Sequence, residues 1–482
     1  MSPTTRLLTA LLAASSLTAC ATVGPDFKAP DAPATASTLG AGETAPAAAR
    51  LDADAANAGP WWTALNSPEL DATIRQALKD SPTLAEADAT LAQASSALAQ
   101  ARGVAGPQVT GNAGIARERA NLQAFGFTGF GDIKLSNPTF SLYSIGGAVS
   151  YDLDLWGGNK RRIEGATARA EAQGRRAEAA YLSLTANVAL QAATIATLRA
   201  QIASVERMIA DDEANIELVH KANALGGSTN LAKVAAASQL EEDRALLPAL
   251  QGVLAAARHA LAVLVGKAPA DWIAPAFDLR SMALSAPVPV ALPSRLVRQR
   301  PDILAAEAEL HAATADIGVA TADLYPNIKL SASLTQGSLK PGDLFSYDAS
   351  GWDVGAGLTA PLFDGGALKA RRQQAREAAR AASARYQQTV LTAFGQVADA
   401  LSALSTDETA LAAHGRTEQQ ATERLRLAKV AFDKGGGTML EVIDAQRTLN
   451  SARSARARAE GQRLVDAIRL FAATGADWRT GV

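Results

Sequence analysis

The side chains in this sequence best suited to chemistry are its single cysteine and its four histidines. The cysteine is Cys20, and the histidines are His220, His259, His311 and His414. The histidines show no spacing typical of metal ligands, and one cysteine excludes an internal disulfide, a cysteine-rich zinc site or an iron–sulfur cluster within the chain. The sequence also lacks the P-loop, zinc-protease, serine-hydrolase and dinucleotide-binding motifs. We therefore expect a protein that is not an enzyme and that has no catalytic residue, metal or cofactor.

Cys20 is placed for a different chemistry, the attachment of lipid. A basic residue precedes an apolar stretch over residues 7–17, which is too short to span a bilayer and is typical of a secretory signal. The stretch closes as Leu17-Thr18-Ala19-Cys20, which resembles the lipobox cut by bacterial lipoprotein signal peptidase. This resemblance implies a signal peptide over residues 1–19, N-palmitoyl and S-diacylglycerol groups on Cys20 and, since Ala21 follows, sorting to the outer membrane. The alternative is an ordinary signal peptide and an incidental free thiol.

The composition limits the class of protein. The chain has 482 residues, of which 48% are hydrophobic, 20% charged and 5% aromatic, and its net charge is −2. This balance gives no electrostatic reason to expect a nucleic-acid partner. The mean hydropathy of +0.02 is typical of a soluble protein, but it also suits a membrane β-barrel, whose strands alternate in polarity. Alanine supplies much of the hydrophobic total, which favours closely packed long helices.

The sequence contains two copies of one plan. Four landmarks recur in the same order, at an offset of 219 residues for the first two and 208 to 209 for the others. The pairs are Pro82 and Pro301, Pro107 and Pro326, Gly157-Gly158 and Gly365-Gly366, and Gly227-Ser228-Thr229 and Gly436-Gly437-Thr438. Internal repeats of this kind define the organisation of a chain. We divide it into a lipidated tether (20–60), a first repeat (61–265), a proline-rich connector (266–293), a second repeat (294–475) and a short tail (476–482).

Each copy contains a long helical segment followed by a returning one. In the first copy apolar residues recur every three or four positions over 181–219, a period that predicts helices wound around their neighbours. Gln191 and Asp212 interrupt this seam and are candidates for setting its register. No proline occurs over 158–223, so a helix of about 65 residues, roughly 100 Å long, can form there. We expect Pro248 to kink or interrupt the first returning helix.

The stretches before the long helices have the pattern of strands. Apolar and polar residues alternate at 108–115 and 141–155 in the first copy, and at 327–334 and 352–362 in the second. Such alternation is typical of membrane barrel strands, which are apolar toward lipid and polar toward a lumen. The alternative is a pair of half-buried soluble hairpins. Because four strands cannot close a barrel and lipid does not tolerate open sheet edges, membrane strands would require several chains, of which three would leave room for a channel.

These features together resemble the outer-membrane efflux factor family, the TolC-like proteins, and in particular its NodT-like lipoprotein branch. The motifs that carry the resemblance are Val23-Gly24-Pro25-Asp26-Phe27, Trp61-Trp62 with Pro68-Glu69-Leu70, Tyr151-Asp152-Leu153-Asp154-Leu155-Trp156-Gly157, Arg300-Pro301-Asp302-Ile303, Pro361-Leu362-Phe363-Asp364-Gly365-Gly366 and Asp444-Ala445-Gln446-Arg447. The resemblance implies a mainly α fold with a small β part. In it, a coiled-coil helical barrel is combined with a transmembrane β-barrel that has four strands per protomer and twelve in a homotrimer.

The resemblance also implies a function. It implies a passive exit duct of a tripartite multidrug efflux system, lipid-anchored and inserted in the outer membrane and extending into the periplasm. Its partners would be outer-membrane lipid, a periplasmic adaptor and an inner-membrane transporter of the resistance–nodulation–division (RND) type. Two alternatives stay open: a TolC-like duct for type I protein secretion, and a coiled-coil structural lipoprotein without a pore.

Two helix–turn–helix tips, here named the first tip (220–231) and the second tip (431–442), follow from the same resemblance. They would form the periplasmic mouth and contact the adaptor. Their glycines allow tight turns and also end the helices: Gly226, Gly227, Gly435, Gly436 and Gly437.

Candidate gate residues lie at or near the second tip. Asp433 is a candidate for a threefold acidic ring that constricts the pore and favours cations. The family often places such an acidic residue about one turn earlier, at the position of Lys429 in this chain. Asp444 and Arg447, on the returning helix, match a family motif and are candidates for side chains that hold the mouth shut.

Overall fold

The computed structural model describes residues 22–31, 39–40, 42, 46, 49–51, 60–121, 137–226, 229–282, 288–290 and 293–475. The signal segment with Cys20, the glycine at position 227 and the C-terminal tail (476–482) lie outside these ranges. Within them the chain is mainly helical, with one four-stranded and one two-stranded sheet. This is the fold class that the sequence predicts.

The two repeats fold into the same series of elements. Strand β1 (Ala49–Leu51) precedes the first repeat, which contains α1 (Pro68–Asp80), α2 (Pro82–Ala105), β2 (Gln108–Arg119), β3 (Thr139–Asp152), α3 (Gly158–Ala224) and α4 (Asn230–Leu264). Strand β4 (Val288–Val290) precedes α5 (Pro293–Gln299), α6 (Pro301–Ala322), β5 (Asn327–Ser338), β6 (Ser350–Thr359), α7 (Ala367–Asp433) and α8 (Met439–Ala473). Helices α3 and α7 each have 67 residues, and α4 and α8 each have 35. The predicted strands, long helices and returning helices are confirmed.

Two features differ from the sequence-based expectations. Of the two effects expected at Pro248, a kink or an interruption, the interruption does not occur, because α4 continues through this residue. Residues on both sides, including Leu240 and Leu254, are buried, and this packing outweighs the lost backbone hydrogen bond. In addition, residues 49–51 of the expected tether pair in parallel with residues 288–290 of the connector. A three-residue strand is too short for periodicity to reveal.

The chain divides into two compact units, and each unit takes segments from both repeats. Unit 1 comprises residues 1–29, 92–172 and 307–385, and unit 2 comprises 30–91, 173–306 and 386–482. Unit 1 contains the four-stranded sheet, and unit 2 contains both tips.

The four-stranded sheet of unit 1 is antiparallel throughout, in the order β2-β3-β5-β6. A hairpin joins the two strands of each repeat, and β3 pairs with β5 across the repeats, with Val149 opposite Ala332. Pairing of β2 with β3 continues without a bulge to Arg119 opposite Thr139. We call the end with the two hairpins the hairpin end, and the end joined to α2, α3 and α6 the helix end. Strands β2 and β6 are the two edges.

Heptad seams bury one side of the long helices in unit 2. Apolar residues of the predicted seam on α3 are buried, and so are apolar residues at the same spacing on α7: Leu184, Val188, Ile195, Leu198, Val205, Val219, Val397, Leu401 and Leu404. Although α3 contains a stretch apolar enough to cross a membrane by length and composition, 56% of that stretch is buried. Gln191 Nε2 donates a 2.8 Å hydrogen bond to the carbonyl oxygen of Ala257 on α4. This predicted register residue therefore links α3 to its returning helix.

Two motifs of the family resemblance serve the core of unit 2. Trp61 is 1% exposed and donates from Nε1 to Thr185 Oγ1, at 3.3 Å. Arg300, also buried, donates from Nη1 to the carbonyl oxygen of Ala473 at 2.7 Å and forms a 2.6 Å ion pair with Asp302. The tryptophan fills the core, and the arginine connects the start of α6 to the end of α8.

Candidate functional site

One face of the four-stranded sheet is apolar and exposed. The register places these residues on it: Val109, Ala113, Ile115, Tyr143, Ile145, Val149, Tyr151, Leu330, Ala332, Leu334, Trp352, Val354, Ala356 and Leu358. Val109, Ile115, Trp352 and Val354 are 74–77% exposed. Half-buried soluble hairpins would cover such residues, and an exposed apolar patch of this kind marks a membrane or protein interface. The face has the character of a surface that contacts lipid.

The opposite face of the sheet is polar except at the hairpin end, where it carries Phe140 and Leu142. It carries Gln108, Thr110, Asn112, Ser144, Ser150, Asp152, Lys329, Ser331, Ser333, Thr335, Asp353 and Thr359. Asn327 Nδ2 donates to Asp152 Oδ1 at 3.2 Å, and the Ser333 hydroxyl donates to the Asp353 carboxylate. Such side chains can line a water-filled passage.

The segment 22–27 is bound at the helix end of the sheet. Its backbone nitrogen at Val23 donates to the carbonyl oxygen of Trp156, at 3.0 Å. Arg161, whose side chain is only 4% exposed, donates to the Val23 carbonyl oxygen at 3.2 Å and forms a 2.6 Å ion pair with Asp26. The Arg161 guanidinium lowers the pKa of Asp26 below its usual value. We call residues 22–27 the N-terminal clasp.

The clasp also involves a histidine that the sequence gives no reason to single out. The ring of Phe27 stacks on the ring of His311, with centroids 4.4 Å apart. His311 Nε2 lies 3.0 Å from Glu164 Oε1, and Glu164 also pairs with Arg161 at 2.8 Å. Burial raises the pKa of Glu164, but the hydrogen bonds from Arg161 and His311 outweigh it and the pKa is lowered overall. His311 therefore helps to hold the clasp.

The second tip is closed by a tight turn and a capping box. Gly435 has φ +73°, and the backbone nitrogen of Gly436 donates to the Ala431 carbonyl oxygen at 2.9 Å. Thr438 Oγ1 accepts from the Glu441 backbone nitrogen at 3.3 Å, while the Thr438 backbone nitrogen donates to Glu441 Oε2 at 2.8 Å. These bonds satisfy the free backbone donors at the start of α8.

The described residues of the first tip form a turn and a cap, and two of them are exposed leucines. Gly226 has φ +75°, and Thr229 caps α4 with one 3.2 Å hydrogen bond. Leu225 and Leu231 beside the turn are 88% and 80% exposed. Exposed leucines at a helical turn offer an apolar surface to a partner.

The family motif on α8 connects three helices. Asp444 forms a 2.5 Å ion pair with Arg424 of α7, in the same hairpin. Gln446 Nε2 donates to Asp211 Oδ2 of α3 at 2.5 Å, and Asn450 Nδ2 donates to the same oxygen at 3.3 Å. The second tip is therefore tied to the long helix of the first repeat by side chains of this motif and of the following turn.

Asp212, the second polar residue in the α3 seam, is buried beside another carboxyl. Asp212 and Asp243 of α4 are 8% and 6% exposed, and Asp212 Oδ2 receives no hydrogen bond from any described donor. Burial, followed by the Asp243 carboxyl and by Asp211, raises the pKa of Asp212 to about 7, against the opposing charge of Arg447. The pair of carboxyls retains a proton until the pH approaches 7.

A second carboxyl pair joins the two helices of the second repeat. Asp407 of α7 lies against Asp466 of α8, which is 4% exposed and accepts from Arg469 at 2.8 Å. Burial and the Asp466 carboxyl raise the pKa of Asp407 to about 6. Each long helix thus carries one aspartate whose pKa lies above the usual range.

The structure places the candidate gate residues in different surroundings. Asp433 and Lys429 are exposed and form no ion pair within the described ranges. Asp444 and Arg447 share α8 but act on different groups, Arg424 and the Asp212 carboxyl. The clasp segment contains a motif of the family resemblance, but no sequence pattern indicates its contact with Arg161 or the contact of Asp444 with Arg424. Each of these contacts joins residues too far apart for a short motif or a helical period to report.

Comparison with known proteins gives the family. Residues 73–267 and 292–476 match the model of the family described as outer membrane efflux protein. The chain is 30% identical over 482 residues to the antibiotic efflux pump outer membrane protein ArpC of Pseudomonas putida, covering 98% of this chain and 96% of ArpC. It is 29% identical over 431 residues to the pyoverdine export outer membrane protein OpmQ of Pseudomonas aeruginosa, covering 89% of each. The solved outer-membrane channel OprN is similar with a TM-score of 0.84 and 27% identity, over 95% of this chain and 99% of OprN.

Proposed function

We propose that this chain, which belongs to the outer membrane efflux protein family, is the duct through which small molecules pass from a tripartite pump to the exterior. The observation that carries the proposal is the sheet of unit 1, with an exposed apolar face and a polar face. In a barrel the apolar face contacts lipid and the polar face lines the lumen. Relatives named for antibiotic efflux and pyoverdine export support small organic molecules as the cargo.

The duct would be a homotrimer. The sheet has only four strands, and the edges β2 and β6 carry backbone groups that lipid cannot satisfy. Pairing β6 of one protomer with β2 of the next removes every edge. Two protomers would give eight strands and an interior filled by side chains, whereas three give twelve strands and an open lumen.

The tips would dock onto a periplasmic adaptor, which joins the duct to an inner-membrane transporter of the RND type. The exposed Leu225 and Leu231 of the first tip provide apolar contact area. The second tip has an equivalent exposed side chain in Leu440, which is 69% exposed. The capping box and the glycine turns hold these leucines at the ends of rigid helices.

Cys20 would anchor the chain through N-palmitoyl and S-diacylglycerol groups. Two residues further on, Thr22 Oγ1 accepts from Lys160 Nζ at 3.1 Å, at the helix end of the sheet. Cys20→Ser should abolish palmitate labelling and leave trimers intact, because the strands supply the membrane seat. Unchanged labelling of the variant would disprove lipidation at this cysteine.

Asp444 would help to keep the mouth closed through its ion pair with Arg424. Asp444→Arg or Arg424→Asp should raise single-channel conductance in planar bilayers by loosening the second tip, and the double swap should restore it. Arg447→Glu tests the interaction of Arg447 with the Asp212 carboxyl by the same conductance measurement. Asp433→Asn tests the proposed acidic ring, through cation selectivity. Conductance and selectivity equal to the parent protein would remove the corresponding residue from the gate.

The duct itself is tested with the purified full chain. We expect a trimer in mild detergent, an electrophoretic mobility that changes on heating, and ion conductance after insertion into planar bilayers. A monomer that does not insert into liposomes would overturn the proposal and would favour a structural lipoprotein instead.

A further inference from the structure

Two arginines lie on the apolar face of the sheet, at its hairpin end. Pairing of β2 with β3 continues without a bulge through Arg119, so side chains alternate strictly along this strand. Arg117 and Arg119 therefore share the face of Ile115, whereas Glu118 points to the polar face. The strand therefore places the two arginines on the face that would contact lipid, and Glu118 between them on the opposite face.

No carboxylate among the described residues pairs with these arginines. Arg117 pairs across the ladder with Ser141 and Arg119 with Thr139, and both arginines are exposed. Neither forms an ion pair with any residue in the described ranges. A salt bridge within the described part of the sheet therefore does not account for them.

The arginines lie just beyond Tyr143, an aromatic residue of the same face that stands opposite Ile115. Trp352 of β6, which is 77% exposed, lies on this face too, but further from the arginines, at the level of Gly111. Tyrosine and tryptophan collect at the boundary between hydrocarbon and lipid headgroups. Arg119 lies four residues past Ile115 along the strand, or about 13 Å. This distance carries the guanidinium out of the hydrocarbon and into the headgroup layer.

We propose that Arg117 and Arg119 bind phosphate groups on the headgroup of an outer-leaflet lipid. The guanidinium fork matches phosphate oxygens in two-point hydrogen bonding. The hairpin end faces the outer leaflet, because the helices of unit 1 all leave the sheet at the opposite end. The inference rests on the proposed seat of the sheet in the outer membrane.

The second repeat shows that the strand does not need these charges to fold. At the offset of 219 residues, Gln336 and Ser338 stand where the first repeat has Arg117 and Arg119. Both lie on the apolar face of β5, which is as long as β2. The basic pair is therefore specific to one strand of each protomer, and it would recur three times around a trimer.

The test compares lipid binding by the full chain and by a double variant, Arg117→Gln with Arg119→Ser, which copies the residues of the second repeat. Purified protein in a non-ionic detergent is titrated with bisphosphorylated lipid A, with dephosphorylated lipid A and with inorganic phosphate. At about a factor of five per basic residue near an anionic surface, the double variant should bind bisphosphorylated lipid A roughly 30-fold more weakly. Glu118→Gln, on the other face of the same strand, should bind as the parent does.

Each outcome decides the matter. Preference of the parent chain for the bisphosphorylated lipid, lost in the double variant and kept in Glu118→Gln, supports the proposal. Equal binding by the parent and the double variant, or equal response to dephosphorylated lipid A or inorganic phosphate, overturns it. Conductance measured on the same proteins reports separately on the duct, because an active channel without lipid preference contradicts only this inference.

Discussion

Two carboxyls, the buried Asp212 and the half-buried Asp407, have pKa values raised well above those of free aspartate. A carboxyl that is a stronger base in the folded chain holds its proton there when the unfolded chain has already lost it. Its stabilising contribution is complete below about pH 4, and it is lost as the pH rises through the folded-state pKa. The free energy of unfolding of unit 2, which contains both residues, should therefore be smaller at pH 8 than at pH 5.

Asp212→Asn removes this dependence at one site. The amide cannot ionise, and its NH2 group can donate to Asp243, so the repulsion that develops above pH 7 disappears. We expect the Tm of the full chain to rise by a few degrees at pH 8, with a smaller change at pH 5, in calorimetry in detergent. Asp433→Asn, at an exposed position, should leave the pH profile unchanged. A profile for Asp212→Asn with the slope of the parent would contradict the raised pKa.

The buried side chain of Arg161 holds the N-terminal clasp, since it contacts Val23 and Asp26 of the clasp and also pairs with Glu164 on its own helix. Arg161→Gln cannot form either ion pair, so residues 22–28 should detach more often. A loss of about 1.4 kcal/mol of local stability would make trypsin cleavage after Lys28 about tenfold faster. Arg162→Gln, at the exposed neighbouring position, is the control. Equal cleavage rates in the two variants would show that Arg161 does not hold the clasp.

The elements were largely predictable because their patterns are long. The 3.5-residue period of α3 and the alternation along β2 and β6 each extend over enough positions to separate helix from strand. The pairing of 49–51 with 288–290 and the contact of Asp26 with Arg161 were not predictable, since each depends on tertiary contacts between distant segments. The continuation of α4 through Pro248 likewise depends on burial of the turns around it.

Gly461 allows two helices to approach closely, a requirement that the helical pattern of the sequence does not reveal. A Cβ atom there would lie 2.0 Å from Oγ1 and 2.8 Å from Cβ of Thr197, so α8 approaches α3 closely at this point. Gly461→Ala should destabilise the chain by about 1–3 kcal/mol in thermal unfolding, and Thr197→Ala should recover part of the loss. Gly252→Ala on α4, where no atom lies within 4 Å, should instead stabilise by up to about 1 kcal/mol. Equal effects of the two alanines would exclude a close contact at Gly461.

At the scale of the whole molecule, the two repeats share one series of elements but differ in the contacts that their side chains form. The long helices and the returning helices match in length between the repeats. The capping box, the Asp444–Arg424 pair and the links from α8 to α3 nevertheless belong to the second repeat. The two arginines of β2 belong to the first repeat, and the clasp, which precedes both repeats, is held by Arg161 of the first. Helices of equal length can form a continuous helical barrel around a pore. The side chains that differ between the repeats can give the second repeat a role in gating and the first repeat a role in membrane attachment.

Two neighbouring residues on β5 provide the sharpest test of which face of the sheet contacts lipid. Ala332 lies on the apolar face and Ser333 on the polar face, beside Asp353. A lysine on the lipid side of a barrel costs about 2–4 kcal/mol near the bilayer midplane, and three protomers would incur it together. Ala332→Lys should therefore abolish insertion into the membrane and trimer formation, as judged by heat-modifiable gel mobility. Ser333→Lys should insert normally and lower cation selectivity in planar bilayers, and the opposite assignment of these two outcomes would reverse which face of the sheet meets the lipid.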